Sequence, residues 1–418
     1  MTTVLSPITA VVAKTRRLRW PHVLLLVAAG LLLLAAVRVL TGADDLTSRG
    51  TMREAVQWAV PIGLAGLGGL WSERAGVVNI GLEGMMILGT WFGAYAGVQF
   101  GPWTGVVVGI LGGALGGLLH ALATVTFGVD HIVSGVAVTI LGAGLARYLS
   151  GLTFANMDGG GPTQSPTIGD IGTITVPGLS TAMKAIEDHH WFLASDLAGI
   201  VGGLTTDLSL LTIVAVLLVP ATYFLLWRTA FGLRLRSAGE SPVAAESLGV
   251  NVYLYKYLAV IVSGGLAGLG GVYLAEVSSS IYREGQTNGR GYIGLATMIF
   301  GNWRPGGLAA GAGLFGFTDA LQQRPSGAES VHALLLFVAV LVFAVACWHL
   351  YRRRWVTGGV TLAVAAAVLA WFLLQPSVPD EFVRFMPHLT TLLVLALASQ
   401  RLRMPAADGM PYRRGQGR

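Results

Sequence analysis

The chain contains a succession of apolar runs, each about as long as the path of a helix through a lipid bilayer. The hydrocarbon core is ~30 Å thick and needs about 20 apolar residues per helix. Such runs occur at 21–40, 53–71, 79–100, 103–127, 131–150, 208–227, 255–275, 289–302, 306–321, 331–350, 356–375 and 386–400. Hydrophobic residues make up 54% of the 418 residues and charged residues only 11%, which fits neither a soluble nor a disordered chain. The sequence therefore predicts an all-α, polytopic membrane protein.

Some of these runs are less regular than the others. The run at 53–71 begins with an arginine and a glutamate, and the neighbouring runs 289–302 and 306–321 are short and are separated by the loop 304–307, which contains proline and glycine. That pair fits either two tilted crossings or a re-entrant hairpin. We therefore expect ten to twelve transmembrane helices.

The distribution of charge predicts the orientation. If the N-terminus is cytoplasmic, most lysines and arginines fall on the cytoplasmic side, including the basic N-terminus 1–20 and the basic tail 401–418. The first run resembles a signal peptide, but it continues past the expected length and has no small-x-small cleavage site. We interpret it as a transmembrane helix. Residues 151–207 then form an external loop, residues 228–252 form a cytoplasmic loop, and both termini are cytoplasmic.

The cytoplasmic loop 228–252 carries the start and stop signals of a short helix. Ser241 is a suitable N-cap, Pro242 suits the first helical position, and Gly249 supplies a left-handed end. This pattern favours a short rigid helix outside the membrane, and an ordinary connector is the alternative. The chain contains no G-x-x-x-x-G-K-[ST] loop, so any ATP that drives it is hydrolysed by another polypeptide.

Several motifs are those of one family of transport proteins. Residues 72–86 read Ser-Glu-Arg-Ala-Gly-Val-Val-Asn-Ile-Gly-Leu-Glu-Gly-Met-Met, which resembles the signature of permease subunits of bacterial nucleoside-type ABC importers, in the ribose and branched-chain amino-acid permease superfamily. The segments 231–251, 289–308 and 411–415 are similar to the same family. The resemblance covers residues 50–330 and the end of the chain.

The resemblance implies an architecture and a set of partners. The expected fold is a helical bundle with two inverted-repeat-like halves, similar to type II ABC importers, in the bacterial cell membrane. The expected partners are a second permease subunit, an ABC ATPase subunit that binds ATP and Mg, and an extracytoplasmic substrate-binding lipoprotein. The chain itself is then a transporter subunit without a cofactor, not an enzyme.

The resemblance also implies a cargo and an ATPase contact. The cargo is a nucleoside or a related small polar solute, with ribose or another simple sugar as the alternative. Residues 21–330 form the permease domain and 386–400 the last helix, while the helix pair at 331–375 is additional to the family pattern. The ATPase is expected to contact the loop 228–252 through Gly239, Glu240, Ser241, Pro242, Glu246 and Gly249.

Two polar residues lie on one face of the predicted helix 79–100. Asn79 and Glu83 are four residues apart, and a carboxylate inside a bilayer costs at least ~2.5–3.5 kcal/mol unless it faces protein or water. We place Glu83 about one turn inside the cytoplasmic edge. It is either part of the translocation path or gate, or a polar clasp between helices, with Arg74 or Arg147 as its partner.

Further candidates for the path or gate lie on neighbouring runs. Asn302 and Asp319 supply polar groups and Trp91 and Trp303 supply flat faces for a nucleoside, although aromatic residues at span ends also serve as interface anchors. Residues 80–85 and 293–298 share a similar pattern, which favours two inverted halves.

Alternative functions make different demands on the sequence. An ion-coupled carrier needs cation-coordinating carboxylates inside the membrane, for which only Glu83 and Asp319 qualify, and a membrane-embedded transferase needs paired acids or a metal set. We predict no metal site at His189 and His190. We interpret the basic tail as binding anionic membrane lipid, not nucleic acid.

Overall fold

The computed structural model of the protein describes residues 20–379, 381–383, 385–386 and 402–415. The helices are α1 (Trp20–Thr41), α2 (Arg49–Arg74), α3 (Leu82–Phe100), α4 (Pro102–Ala121), α5 (His131–Thr153), α6 (Leu179–Glu187), α7 (Ala194–Gly203), α8 (Leu210–Arg228), α9 (Ala230–Glu240), α10 (Pro242–Ser247), α11 (Val252–Tyr273), α12 (Arg290–Phe300), α13 (Pro305–Gln323), α14 (Gly327–Tyr351) and α15 (Trp355–Leu374). Strands β1 (Thr173–Ile174) and β2 (Leu208–Ser209) form an antiparallel pair. Nearly all of the predicted N-terminal region 1–20 and of the predicted last helix 386–400 lies outside the described residues.

Seven helical segments of the described chain are long and apolar enough to cross a membrane. They are Leu24–Thr41, Pro102–Thr126, His131–Asn156, Leu210–Arg228, Val252–Ser278, Gly327–Tyr351 and Trp355–Leu374. Each matches one of the predicted runs. Helices α2, α3 and α13 also match predicted runs and have 26, 19 and 19 residues. The total of ten to twelve crossings stays a prediction.

Helix α12 is shorter than the predicted run at 289–302. It has 11 residues, about half of what a bilayer requires. Gly294 packs against Ile62 and Ala65, near the midpoint of α2, and the helix ends beside the last turn of α2. Helix α12 therefore starts in the middle of the bundle, whereas α13 runs along most of the length of α2. The two segments are therefore neither a pair of tilted crossings nor a symmetrical hairpin. They form a half-helix, α12, followed by a full helix, α13.

The bundle has two polar ends, which we name by what lies there. The loop face carries the segment 151–207 with β1, β2, α6 and α7, and it is joined to the start of α2 by the bond from the Arg49 amide to Glu187 and by the ion pair Arg53–Asp207. The tail face carries the end of α2, helices α9 and α10, and the C-terminal residues 402–415, which we call the tail.

Helix α11 lies at the centre of the bundle and contacts α2, α3, α4 and α9. Its contact with α4 depends on glycines that face each other in the two helices. A Cβ atom added to Gly264 would lie 2.3 Å from the carbonyl oxygen of Gly113, which only glycine permits. These glycines therefore allow α4 and α11 to pack closely.

The predicted pair 331–375 corresponds to helices α14 and α15, which pack against each other. Helix α14 also contacts α1 and α13, while only 11% of the α15 span is buried. The pair therefore lies at the periphery of the described bundle and leaves its centre unchanged.

Candidate functional site

An extended segment carries polar groups into the middle of the bundle. Helix α2 ends at Arg74, and the chain turns back before α3 begins at Leu82. In between, the Asn79 amide donates a 2.9 Å hydrogen bond to the Ser263 hydroxyl and is fully buried. Ser263 lies about eleven residues, or ~16 Å, along α11 from its start. Asn79 and the start of α3 therefore lie deep in the bundle, and the placement of Glu83 one turn from the edge is wrong.

Glu83 holds the start of the half-helix α12. Its two carboxylate oxygens accept hydrogen bonds from the backbone amides of Gly289 and Gly291, at 2.9 and 2.7 Å. These amides are among the donors that a helix start leaves unpaired, and a negative charge is favourable there. The structure thus shows a clasp between helices, although its partner is neither Arg74 nor Arg147. A role of Glu83 in the path or gate stays a prediction.

The second predicted acid joins the same helix start from the other side. Arg290, the first residue of α12, donates to the Asp319 carboxylate at 3.1 Å and lies 4.5 Å from the centre of the Trp58 ring. Glu83 and Asp319 thus hold α12 from α3 and α13. We call this arrangement of Asn79, Glu83, Arg290 and Asp319 the polar junction. Both acids bond donors of this chain, which does not favour cation coordination by them.

Trp91 lies in a different environment. It stacks on Tyr95 at 5.3 Å and contacts Phe92 and Phe154 at 5.1 and 5.8 Å. Its ring nitrogen is buried without a hydrogen-bond partner among the described residues. The cluster provides flat apolar faces, and contact between Trp91 and a solute remains a prediction.

The structure places Asn302 and Trp303 at the tail face, away from the start of α12. Both have positive φ values, 54° and 53°. The Trp303 ring nitrogen donates to Glu73, and its carbonyl accepts from the Arg74 guanidinium at 2.7 Å. These contacts fix the turn between α12 and α13 on the end of α2. We did not select Glu73 from the sequence, although an acid inside the signature segment was the available signal.

A polar cavity of about 190 Å³ opens between α2, α8, α11 and the external segment. Its lining includes Gln57, Asp170, Asp207, Ser209, Thr212 and Tyr273. The lining offers amide, hydroxyl and carboxylate groups, as a polar solute requires. The sequence did not indicate this cavity, because its lining residues come from four separate segments.

Glu276 is a further acid that the sequence analysis did not select. It is buried near the end of α11, and neither carboxyl oxygen has a hydrogen-bond partner among the described residues. One of these oxygens occupies the space that a Cβ atom on Gly105 would need. An acid directly after the predicted run 255–275 was the sequence signal that could have indicated it.

The predicted loop 228–252 forms two helices. Thr229 caps α9, which the sequence did not predict, by accepting from the Gly232 amide at 3.1 Å. Pro242 begins α10 as predicted, and Gly249 has the expected positive φ of 82°. Ser241 precedes α10, but its side chain makes no capping hydrogen bond, so that detail of the prediction is wrong.

Among the predicted ATPase-contact residues, Gly239 is buried, whereas Ser241 and Gly249 are exposed. On α10 and its end, the apolar side chains of Val243 and Leu248 are 39% and 85% exposed. Gly239 and Glu240 instead accept hydrogen bonds from the tail amides of Ala407 and Ala406. Glu246 also accepts from the tail, through the hydroxyl of Tyr412.

The tail adds a buried acid to the tail face. Burial of the Asp408 carboxyl raises its pKa to about 7, although a hydrogen bond with Glu73 and the charges of Lys256 and Arg74 lower it. The docked tail therefore retains a proton that a free aspartate releases near pH ~4. Docking of the tail should be strongest at low pH. As the pH rises from about 4 to 7, its equilibrium constant should fall by up to roughly tenfold per pH unit.

This pH dependence can be measured by trypsin cleavage after Arg403. We expect cleavage of the intact protein to be faster at pH 7.5 than at pH 5.5, after correction for the rate on a free tail peptide at each pH. Asp408→Asn should reduce the difference, because the amide at this position has no proton to release. An equal pH effect in the variant would contradict the assignment to Asp408.

Comparison with known proteins assigns the chain to a family. Residues 51–346 match the family model described as branched-chain amino acid transport system / permease component. The chain belongs to this permease family. The matched region runs from α2 through most of α14, so it includes the polar junction, the cavity and the loop 228–252.

Curated relatives of the permease cover most of both chains. The guanosine ABC transporter permease protein NupQ of Bacillus subtilis is 30% identical over 86% of this chain and 95% of its own length. The nucleoside ABC transporter permease protein NupC of Lactococcus lactis is 31% identical over 85% and 94%. The putative glucose ABC transporter permease protein TsgC13 of Haloferax volcanii is 32% identical over 87% and 98%. No solved structure matches the chain.

Membership of the family settles the class of function. The permease is a multi-pass membrane protein that transports rather than catalyses a reaction, and ATP is hydrolysed in a separate subunit. It works with an ATPase and a substrate-binding protein. The ion-coupled carrier and the membrane-embedded transferase are excluded.

Proposed function

We propose that this permease translocates nucleosides into the cell as the membrane subunit of an ATP-driven importer. Two of its relatives carry guanosine or nucleoside in their names, which supports this cargo over the glucose of a third relative. The position of α9 and α10 is the geometric observation that supports coupling of ATP hydrolysis to transport. They form the whole connection between α8 and the central helix α11, so force applied to α10 reaches the middle of the bundle.

The proposal assigns the tail face to the cytoplasm of a bacterial cell. Arg74, Arg228, Arg236, Lys256 and Arg304 all lie at or near this end, which agrees with the positive-inside rule. The ATPase, with its ATP and Mg, would then contact the exposed apolar side chains of α10. The loop face would receive solute from an extracytoplasmic lipoprotein.

The solute path is proposed to start at the cavity on the loop face. A nucleoside presents ring nitrogens, exocyclic amines and ribose hydroxyls, which match the amide, hydroxyl and carboxylate groups there. The path continues toward the polar junction, where a half-helix starts inside the bundle. Interrupted helices of this kind mark the substrate region in other transporters.

The proposal includes a second permease subunit and two related halves. Helix α3 runs toward the loop face and α12 toward the tail face, so the similar segments 80–85 and 293–298 run in opposite directions. Opposite direction is what an inverted repeat requires. The path would be completed by the second subunit.

The cargo is tested by uptake in matched cells with and without the gene. We expect deletion to abolish uptake of labelled guanosine and uridine, and the restored gene to recover it. Loss of glucose or ribose uptake with unchanged nucleoside uptake would show that the cargo is a sugar, and the protein would still be an importer subunit. Efflux in place of uptake would contradict the direction.

A first test of the path uses Gln57, whose amide donates to the Val277 carbonyl at 3.2 Å in the wall of the cavity. Gln57→Ala should raise the concentration for half-maximal nucleoside uptake several-fold, because one polar group of the lining is lost. Gln99→Ala serves as a control outside that lining. If both variants had the same uptake curve, the proposal that the solute path includes this cavity would be contradicted.

A further inference from the structure

The tail, residues 402–415, crosses from the loop 228–252 to the ends of the central helices. At one end its residues bond Gly239, Glu240 and Glu246. At the other, the Arg403 amide donates to the Asn302 side chain at 2.7 Å. A C-terminal segment that served only as a lipid anchor would need neither set of contacts.

Tyr412 makes the closest polar contact between the tail and Glu246 of α10. Its hydroxyl donates a 2.5 Å hydrogen bond to the Glu246 carboxylate, and this bond is the main cause that lowers the pKa of Glu246. The Gly415 amide and the Arg414 guanidinium lie 3.4 and 3.5 Å from the same carboxylate. Glu246 thus faces the tail with its charged group.

The Tyr412 ring joins α10 to the central helix by packing. The side chain is 9% exposed and forms one apolar cluster with Ala238 of α9, Ala245 of α10 and Val252 of α11. Its ring centre lies 5.6 Å from that of Tyr253. A single tail residue therefore contacts α9, α10 and α11.

The middle of the tail reaches the buried ends of the bundle. The Asp408 carboxyl lies against Glu73 at the end of α2 and near Lys256 of α11. Glu73 in turn accepts from Trp303, next to Asn302. The tail is consequently connected to α2, α11 and the turn after α12, the half-helix that the polar junction holds.

We propose that the tail is a second mechanical link, beside the direct connection of α10 to α11, that makes α10 move together with α2 and α12, and that Tyr412 is a positioning residue for coupling ATP hydrolysis to transport. The inference rests on the proposed function, since it takes α10 as the site where the ATPase acts. Apart from the tail, α10 packs mainly against α9 and the start of α11. Without the tail, α10 would be able to tilt on its two flanking loops while α2 and α12 remain in place.

The test uses the complete transporter, with its ATPase and substrate-binding protein, in proteoliposomes. Two quantities are measured: labelled guanosine transported per ATP hydrolysed, and the stimulation of ATP hydrolysis by the binding protein. Tyr412→Phe removes the hydroxyl and keeps the ring, Tyr412→Ala removes both, and Met410→Ala is the control because Met410 is 58% exposed in the same tail.

We expect both quantities to fall at least about threefold in Tyr412→Phe and further in Tyr412→Ala, within the range known for residues that transmit coupling. The amount of assembled complex should stay equal, and Met410→Ala should match the unaltered protein. Glu246→Ala combined with Tyr412→Phe should be no worse than Glu246→Ala alone, because both remove the same bond. Glu246→Gln keeps an acceptor oxygen and should retain more coupling than Glu246→Ala.

Two results would overturn the inference. One is unchanged coupling in Tyr412→Ala and in a chain ended after Pro405. The other is a Tyr412→Ala protein that loses part of its ATPase subunit but couples normally in the complexes that still contain it. The tail would then be only an attachment surface for the ATPase. Failure of the unaltered complex to transport guanosine would contradict the cargo alone, because stimulation of ATP hydrolysis still reports on the tail.

Discussion

Replacing Glu83 by alanine is expected to abolish nucleoside uptake and to destabilise the permease. The change leaves the buried amide of Gly291 and the partly buried amide of Gly289 without their acceptor. A buried unpaired group costs about 1–3 kcal/mol, and a partly buried one costs less, so the start of α12 should lose at least about 1–3 kcal/mol of stabilisation. Uptake should fall at least tenfold, as the polar junction no longer holds α12 at a defined height.

The matched variants separate capping from charge. Glu83→Gln keeps one oxygen to accept a bond and should show an intermediate loss. Glu284→Gln alters an acid whose 3.6 Å pair with Arg147 is exposed, and such pairs contribute about 0–1 kcal/mol, so it should behave nearly as the unaltered protein. The measurements are uptake per permease in the membrane and the midpoint of thermal unfolding. A stable and fully active Glu83→Ala variant would show that transport does not require the polar junction.

Replacing Leu248 by glutamate is expected to prevent recruitment of the ATPase while leaving the permease folded. Leu248 is 85% exposed on a segment outside the apolar spans, so its substitution should change folding stability by no more than about 0.5 kcal/mol. Contiguous exposed apolar surface marks contact sites, and both Val243 and Leu248 are exposed on this segment. A charge buried there without a partner opposes association.

Recovery of the ATPase with tagged permease measures this prediction. We expect Leu248→Glu to lower the recovered ATPase at least tenfold and to abolish uptake, with Leu248→Ala between the two. Val176→Glu places the same charge on an exposed apolar position of the loop face and should leave recovery unchanged. Normal recovery with Leu248→Glu would place the ATPase contact elsewhere.

Particular residues show how far the sequence predicted the site. Pro242 and Gly249 mark α10 because their backbone preferences are local, and each stands where it was expected. Glu83 was selected because a carboxylate inside an apolar run must be paired. Its partner could not be predicted, since Gly289 and Gly291 lie more than two hundred residues away and backbone amides carry no sequence signature.

The tail illustrates the same limit in another way. Its sequence is basic and was interpreted as a lipid-binding segment, while the structure folds it against α10. The contacts of Tyr412 combine packing against α9, α10 and α11 with a single hydrogen bond. None of these features has a periodic pattern, so neither composition nor spacing indicates them.

The sequence by itself determined that this protein is a bundle of membrane helices, where most of those helices begin and end, and to which family it belongs. Apolar length and local turn residues decide these properties, and both are readable along the chain. The tertiary structure alone decided that α12 is a half-helix capped by Glu83 and that the tail links α10 to α2 and α11. Those properties depend on which distant groups meet in the folded bundle, because buried polar groups must find partners wherever the packing brings them.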